Sequence, residues 1–159
     1  MFYTIITTPL WPAYTDAFTR GDYDWMKNMR KKMQKIWILS TVGCFLVAGL
    51  SPWIYQLWIG DTPHIPFLMT LLVAIYVVAY CWMNLNGTLI VGMGKVKVET
   101  IIVIIGMLIH IPLSYYLSSY IGAYGVLSSL ILINVIYGIV MNTQVGMLLN
   151  KTAKGIWNQ

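Results

Sequence analysis

The chain has 159 residues, of which 58% are hydrophobic, 14% aromatic and 9% charged, with a formal net charge of +5. An ordinary soluble domain carries about 25% charged residues, and here no Asp, Glu, Lys or Arg occurs from Thr100 to Asn150. A fold surrounded by water needs a polar outer face that such a stretch cannot supply. This excludes a soluble enzyme, a disordered tail and a secreted disulfide scaffold, and predicts an all-α membrane protein.

In chain order, residues 1–17 are apolar but interrupted by Pro9 and Pro12. At ~1.5 Å per residue they reach roughly 24 Å, short of a ~30 Å hydrocarbon core. A basic n-region and a small-residue cleavage site are both missing, so the stretch does not read as a signal peptide. It reads as a partial membrane helix, the inner half of one whose outer half is absent. On this expectation the chain is a fragment, or a reading frame that opens inside a longer gene.

Residues 18–35 predict a cytoplasmic basic amphipathic segment. Asp22 is a helix cap. Tyr23, Trp25, Met26, Met29, Met33 and Ile36 follow at near-helical spacing, with Lys27, Asn28, Arg30, Lys31 and Lys35 largely between them. That pattern predicts a helix lying in the membrane interface, its apolar face in lipid.

Four runs then predict a bundle of four transmembrane helices over residues 36–150, at about 36–60, 65–91, 100–121 and 124–149. Asp61-Thr62-Pro63-His64 joins the first pair, residues 92–97 the second and Gly122-Ala123 the third. Residues 151–159 are a tail.

The basic residues set the orientation. Arg20, Lys27, Arg30, Lys31, Lys32 and Lys35 precede the first full span, Lys95 and Lys97 lie between the second and third, and Lys151 and Lys154 follow the fourth. Four spans put all three segments on one side, which the positive-inside rule makes the cytoplasm. Trp53, Tyr55, Trp58, Tyr115, Tyr116, Tyr120 and Tyr124 gather toward the other side, where amphipathic rings prefer to lie. The positive balance is therefore a topology signal with attraction to membrane lipids, not a nucleic-acid footprint. Cys44 and Cys81 read as small packing residues without metal or redox spacing. There is no Ser/His/Asp set, phosphate loop or carboxylate pair, so neither an enzyme nor a cofactor is expected.

The string Pro9-Leu-Trp-Pro-Ala-Tyr-Thr-Asp-Ala-Phe-Thr-Arg-Gly-Asp-Tyr-Asp-Trp25 resembles bacterial O-antigen and related polysaccharide flippases, relatives of multidrug extruders and of the peptidoglycan-lipid flippase. In that family a helix of the second half ends in this proline-broken, aromatic and acidic pattern, and a G-D-x-x-W segment and a basic helix follow. Asn86-Gly87, Gly94-Lys95, Ile111-Pro112-Leu113 and Gly122-x-x-Gly125 also resemble it. The resemblance implies the C-terminal bundle of a twelve-helix transporter: the end of the eighth helix, then the ninth to twelfth. It implies movement of an undecaprenyl-pyrophosphate-linked oligosaccharide from the inner to the outer leaflet of the bacterial cytoplasmic membrane. The implied partners are the lipid-linked oligosaccharide, membrane lipids and an N-terminal half. A multidrug or peptidoglycan-precursor exporter of the same superfamily, and a small non-transporting membrane scaffold, remain alternatives.

The candidate pathway residues are Asp16, Arg20, His110 and Asn134, with Pro9, Pro12 and Pro112 as helix breaks or gates. Asp16 suits a coupling cation or proton, or a local pair with Arg20 at i+4. Arg20 suits pyrophosphate or a topology anchor. His110 suits a protonation step, or a bond to a carbonyl freed by Pro112. Asn134, with Asn84, Asn86, Asn142 and Gln144, suits sugar recognition or interhelical bonding. Glu99 reads as a carboxylate at a helix N-terminus near Lys95 and Lys97, and Asp61 as a solvated turn residue.

Overall fold

The apolar N-terminal stretch folds as two short helices, α1 (Phe2–Thr7) and α2 (Leu10–Thr19), in a computed structural model that describes residues 2–60 and 65–159, side chains 2–4 and 59 excepted. The expected turn Asp61-Thr62-Pro63-His64 lies outside the described residues. The break falls at Pro9, whose ring and missing N–H stop α1 from continuing. Pro12, by contrast, sits inside the first turn of α2, where its missing donor would have no intrahelical partner anyway. After α2 the chain turns through Gly21, at φ +73°, and Asp22 caps the next helix by accepting from Trp25 N at 3.0 Å.

That helix, α3 (Tyr23–Ile59), is continuous for 37 residues. Two parts of the expectation for residues 18–35 are corrected by it. No boundary separates an interfacial helix from the first span, because nothing between Tyr23 and Ser51 removes a backbone donor or crowds the ladder. The apolar face of the segment also does not lie open to lipid. Met26 is fully buried and Met33 is 7% exposed, and both belong to the protein core with Tyr14 and Ala17. Lys31, Lys32 and Lys35 stay exposed. Arg30 instead turns inward and donates through Nη2 to Asn142 Oδ1 at 2.7 Å, tying α3 to the last helix.

Three more long helices follow: α4 (Phe67–Gly92), α5 (Lys97–Ile121) and α6 (Ala123–Leu149). Together with α3 they are long and apolar enough to cross a membrane, the make-up of a multi-pass membrane protein. Pro112 does not interrupt α5, and Pro52 does not interrupt α3. A turn with Gly94 at φ +66° separates α4 from α5, and the single residue Gly122 at φ +59° separates α5 from α6.

The centre of the bundle is α6, which packs along both α4 and α5, while α2 and α3 pack on α4. Polar ties between α3 and α4 include Trp37 Nε1 donating to Val78 O at 3.1 Å and the Tyr55–Thr70 hydroxyl pair at 3.3 Å. The core lies toward one end, where Tyr14, Met26, Leu89, Ile90, Met141 and Val145 are all but inaccessible. Elsewhere large apolar side chains face outward: Trp53 is 80% exposed, Leu57 91% and Trp58 83%. In water such surface would be a liability. Lipid tails are as apolar as these side chains, so the bundle need not cover them.

The basic segments do meet at one end of the molecule. Lys151 Nζ lies 4.3 Å above the Tyr23 ring. The tail, ending in a single 3-10 turn (Gly155–Asn158), folds back on the α4–α5 turn. Lys97 N donates to Gln159 O at 3.1 Å and Lys95 Nζ to Asn158 O at 3.0 Å.

Candidate functional site

Of the residues singled out by sequence, Asp16 and Arg20 are brought together. They form an ion pair one turn apart on α2, with side chains 61% and 68% exposed. An exposed i,i+4 pair contributes about 0.5 kcal/mol or less. Both are thus held by each other, beside a shallow hollow that Asp16 lines with Trp11, Pro12, Thr15 and Gly92.

His110 sits elsewhere, in the α5–α6 contact. Its Nδ1 is 2.7 Å from Ser129 Oγ and 3.1 Å from Ser114 Oγ, and the two hydroxyls are 2.6 Å apart. This closed ring of polar groups, with Ser129 fully buried, replaces the expected bond to a carbonyl near Pro112. Ser114 was legible as an i+4 neighbour; Ser129 required the hairpin to fold. Asn134 is buried and turns back on its own helix, donating from Nδ2 to Leu130 O at 2.8 Å. The four candidates therefore fall in three separate places.

A concavity with several polar groups in its lining forms where α1 and α2 run beside α4, α5 and α6. It is a groove of about 270 Å³ lined by Thr7, Trp11, Asn84, Thr88, Glu99 and Met141, among others. Thr7 Oγ1 donates to Asn84 Oδ1 at 3.4 Å, joining α1 to α4. Thr88 Oγ1 donates to Asn84 O at 2.9 Å along α4. Glu99 reaches in from the first turn of α5. The room for its carboxylate comes from Gly87, since a Cβ there would stand 3.3 Å from Glu99 Oε1. Glu99 Oε2 is buried without a hydrogen-bond partner.

Glu99 stands in the first turn of α5, as expected, while the neighbouring Lys95 and Lys97 make their contacts elsewhere. Lys95 Nζ goes to Asn158 O, and Lys97 Nζ to Gln159 Oε1. The carboxylate faces neutral groups instead. Among the described residues no three His, Cys, Asp or Glu side chains cluster as ligands for a metal ion. Sequence reading missed Glu99 as a site residue because its position at a helix start had a sufficient ordinary explanation. The available signal was that it is the last charge before the uncharged stretch that begins at Thr100.

No protein-family model, curated protein or solved structure matches the chain.

Proposed function

We propose that this chain is the second bundle of a flippase that moves undecaprenyl-pyrophosphate-linked oligosaccharide from the inner to the outer leaflet of the bacterial cytoplasmic membrane, its basic end facing the cytoplasm. The observation that carries the reading is the Pro9–Trp25 string, supported by the way it folds as one unit. Pro9 makes the helix break, Tyr14 and Ala17 enter the core, Gly21 turns the chain and Asp22 caps α3. Trp25 then packs edge-on against Tyr14 at 5.8 Å between ring centroids. Six residues of the string, Pro9, Tyr14, Ala17, Gly21, Asp22 and Trp25, thus have a part in setting α2 against α3.

The physical task is to carry a hydroxylated, pyrophosphate-bearing headgroup through hydrocarbon, which it cannot cross unaided. A polar cavity between two bundles, open to one side at a time, does this without making or breaking a bond. One bundle supplies one wall, and the groove at Glu99 is the polar part of that wall here. A second reading is favoured by one feature of the groove: the charge lining it is acidic. A carboxylate suits a cationic cargo better than pyrophosphate, as expected for a multidrug exporter of the same superfamily.

The test is surface polysaccharide in a flippase-deleted host, with membrane levels of every chain checked by blotting. The 159 residues alone are expected to restore none, and co-expression with a first bundle of an O-antigen flippase to restore it. In the restored pair, Glu99→Gln is expected to lower export more than Asp16→Asn, because Asp16 is exposed and paired with Arg20. Full polysaccharide from the lone chain, or none from a pair present at normal levels, contradicts the proposal.

A further inference from the structure

We infer that the outward face of α3 at Lys31, Lys32 and Lys35 is a binding surface for the phosphate headgroup of an anionic phospholipid, whose acyl chains lie along the apolar continuation of the same face. Geometry is the first argument. α3 is one helix of 37 residues, packed mainly on α4 and α2. On the side that meets them Met26 and Met33 are buried, and Trp37 and Tyr55 bond to α4. The opposite side stays open along its length. At 3.6 residues per turn, Lys31, Lys32 and Lys35 share that side with Ile38, Leu39, Val42, Leu46, Leu50 and Leu57, and all nine are exposed.

Length is the second argument. From Ile38 to Leu57 the helix rises about 28 Å, close to the ~30 Å of a hydrocarbon core. Lys35 stands one turn before Ile38. With the apolar stretch seated in hydrocarbon, the three lysines therefore stand at the depth of the lipid phosphates. Their stems can follow the helix surface while the ammonium groups reach the headgroups.

Availability is the third argument. Arg20 is paired with Asp16, Arg30 is bound to Asn142, Lys95 and Lys97 are engaged by the tail, and Lys151 lies over the Tyr23 ring. Lys31, Lys32 and Lys35 have no carboxylate at ion-pair distance among the described residues. Like charges one turn apart on a helix, such as Lys31 and Lys35, repel each other, and a phosphate between them relieves that repulsion. An acidic protein segment would answer the charges but not the apolar stripe that begins one turn farther on. A phospholipid answers both.

The experiment uses the full chain purified in an uncharged detergent. Phosphatidylglycerol or phosphatidylcholine is titrated in, retained lipid is counted by native mass spectrometry, and the thermal midpoint is followed by tryptophan fluorescence. Saturable retention of phosphatidylglycerol over phosphatidylcholine, with a matching rise of the midpoint, is expected. The combined variant Lys31→Gln, Lys32→Gln, Lys35→Gln should bind phosphatidylglycerol about a hundredfold more weakly, from about fivefold per lysine. The charge-matched variant Lys95→Gln, Lys97→Gln, Lys154→Gln should keep its affinity, and neither inorganic phosphate nor polyglutamate should displace the lipid. Equal retention of the two lipids by the unsubstituted chain overturns the inference whether or not the variants fold. So does undiminished binding in the α3 variant, or an equal loss in the charge-matched one, which would reduce the attraction to net charge. Displacement by polyglutamate overturns it in favour of an acidic protein partner, and displacement by inorganic phosphate in favour of a free-anion site. The inference does not rest on the transport proposal: lipid retention is read on the isolated chain, and export in the host.

Discussion

Replacing Gly125 by alanine is expected to lower stability by about 3 kcal/mol, at the upper end of the range for overpacking. Gly125 lies in the first turn of α6, pressed against the last turns of α5. A Cβ there would stand 2.4 Å from Leu117 C and 2.5 Å from Leu117 O. These are backbone atoms of a helix, so no rotamer change relieves the contact, and α5 must move off α6. Glycine-to-alanine changes inside a helix otherwise favour folding by about 1 kcal/mol. Gly146→Ala is the control with the opposite sign, since nothing lies within 4 Å of its Cβ position. Thermal midpoints of both variants in the same detergent check the claim. Equal midpoints would mean that the α5–α6 approach at Gly125 is wider than described.

The second large effect is expected at Gln144. This side chain is fully buried in α6, and its Nε2 donates to Lys95 O at 2.9 Å and to Trp157 O at 3.3 Å. One amide thus pins both the α4–α5 turn and the tail to the central helix. Gln144→Leu keeps much of the volume but leaves both carbonyls without this donor, a loss of about 2–4 kcal/mol by the cost of buried unpaired groups. The local consequence is more specific than the global one. Amide exchange of Lys97, whose N–H is bonded to Gln159 O, and of residues 155–159 should accelerate strongly. Exchange in the middle of α6 should change little. Unaltered protection of the tail would show that the lysine contacts hold it without Gln144.

The long helices were legible because their signal is composition. Uncharged runs long enough to cross a bilayer need no partner to be recognised, and glycines and lysines mark the turns between them. The same logic misled at residues 35 and 36. There the charge pattern changes, but a change of surroundings is not a helix end, and α3 continues through it. The burial of Met26 and Met33 was hidden for a related reason. An apolar stripe predicts that something covers it, and Tyr14 and Ala17 from α2 do so in place of lipid.

The candidate groove was less legible still. Asn84, Gly87 and Glu99 lie on two helices, and their relation depends on how α1, α4, α5 and α6 are placed. Glu99 was readable as a helix-start carboxylate, and only the fold shows that the tail engages the neighbouring lysines. At His110 the i+4 serine was readable, while the tighter contact with Ser129 arises from the α5–α6 hairpin. Asp16 and Arg20 were readable as a pair because their partnership is local to one helix turn.

The central claim is the proposal that the four-span bundle has its basic end facing the cytoplasm. Single-cysteine accessibility in intact cells tests it most directly, in a background with Cys44→Ala and Cys81→Ala, using Lys31→Cys, Thr62→Cys, Ala123→Cys and Lys154→Cys one at a time. The account predicts that a membrane-impermeant thiol reagent labels positions 62 and 123 from outside, and positions 31 and 154 only after permeabilisation. Labelling of 31 and 154 from outside, or protection of all four positions until permeabilisation, would contradict it.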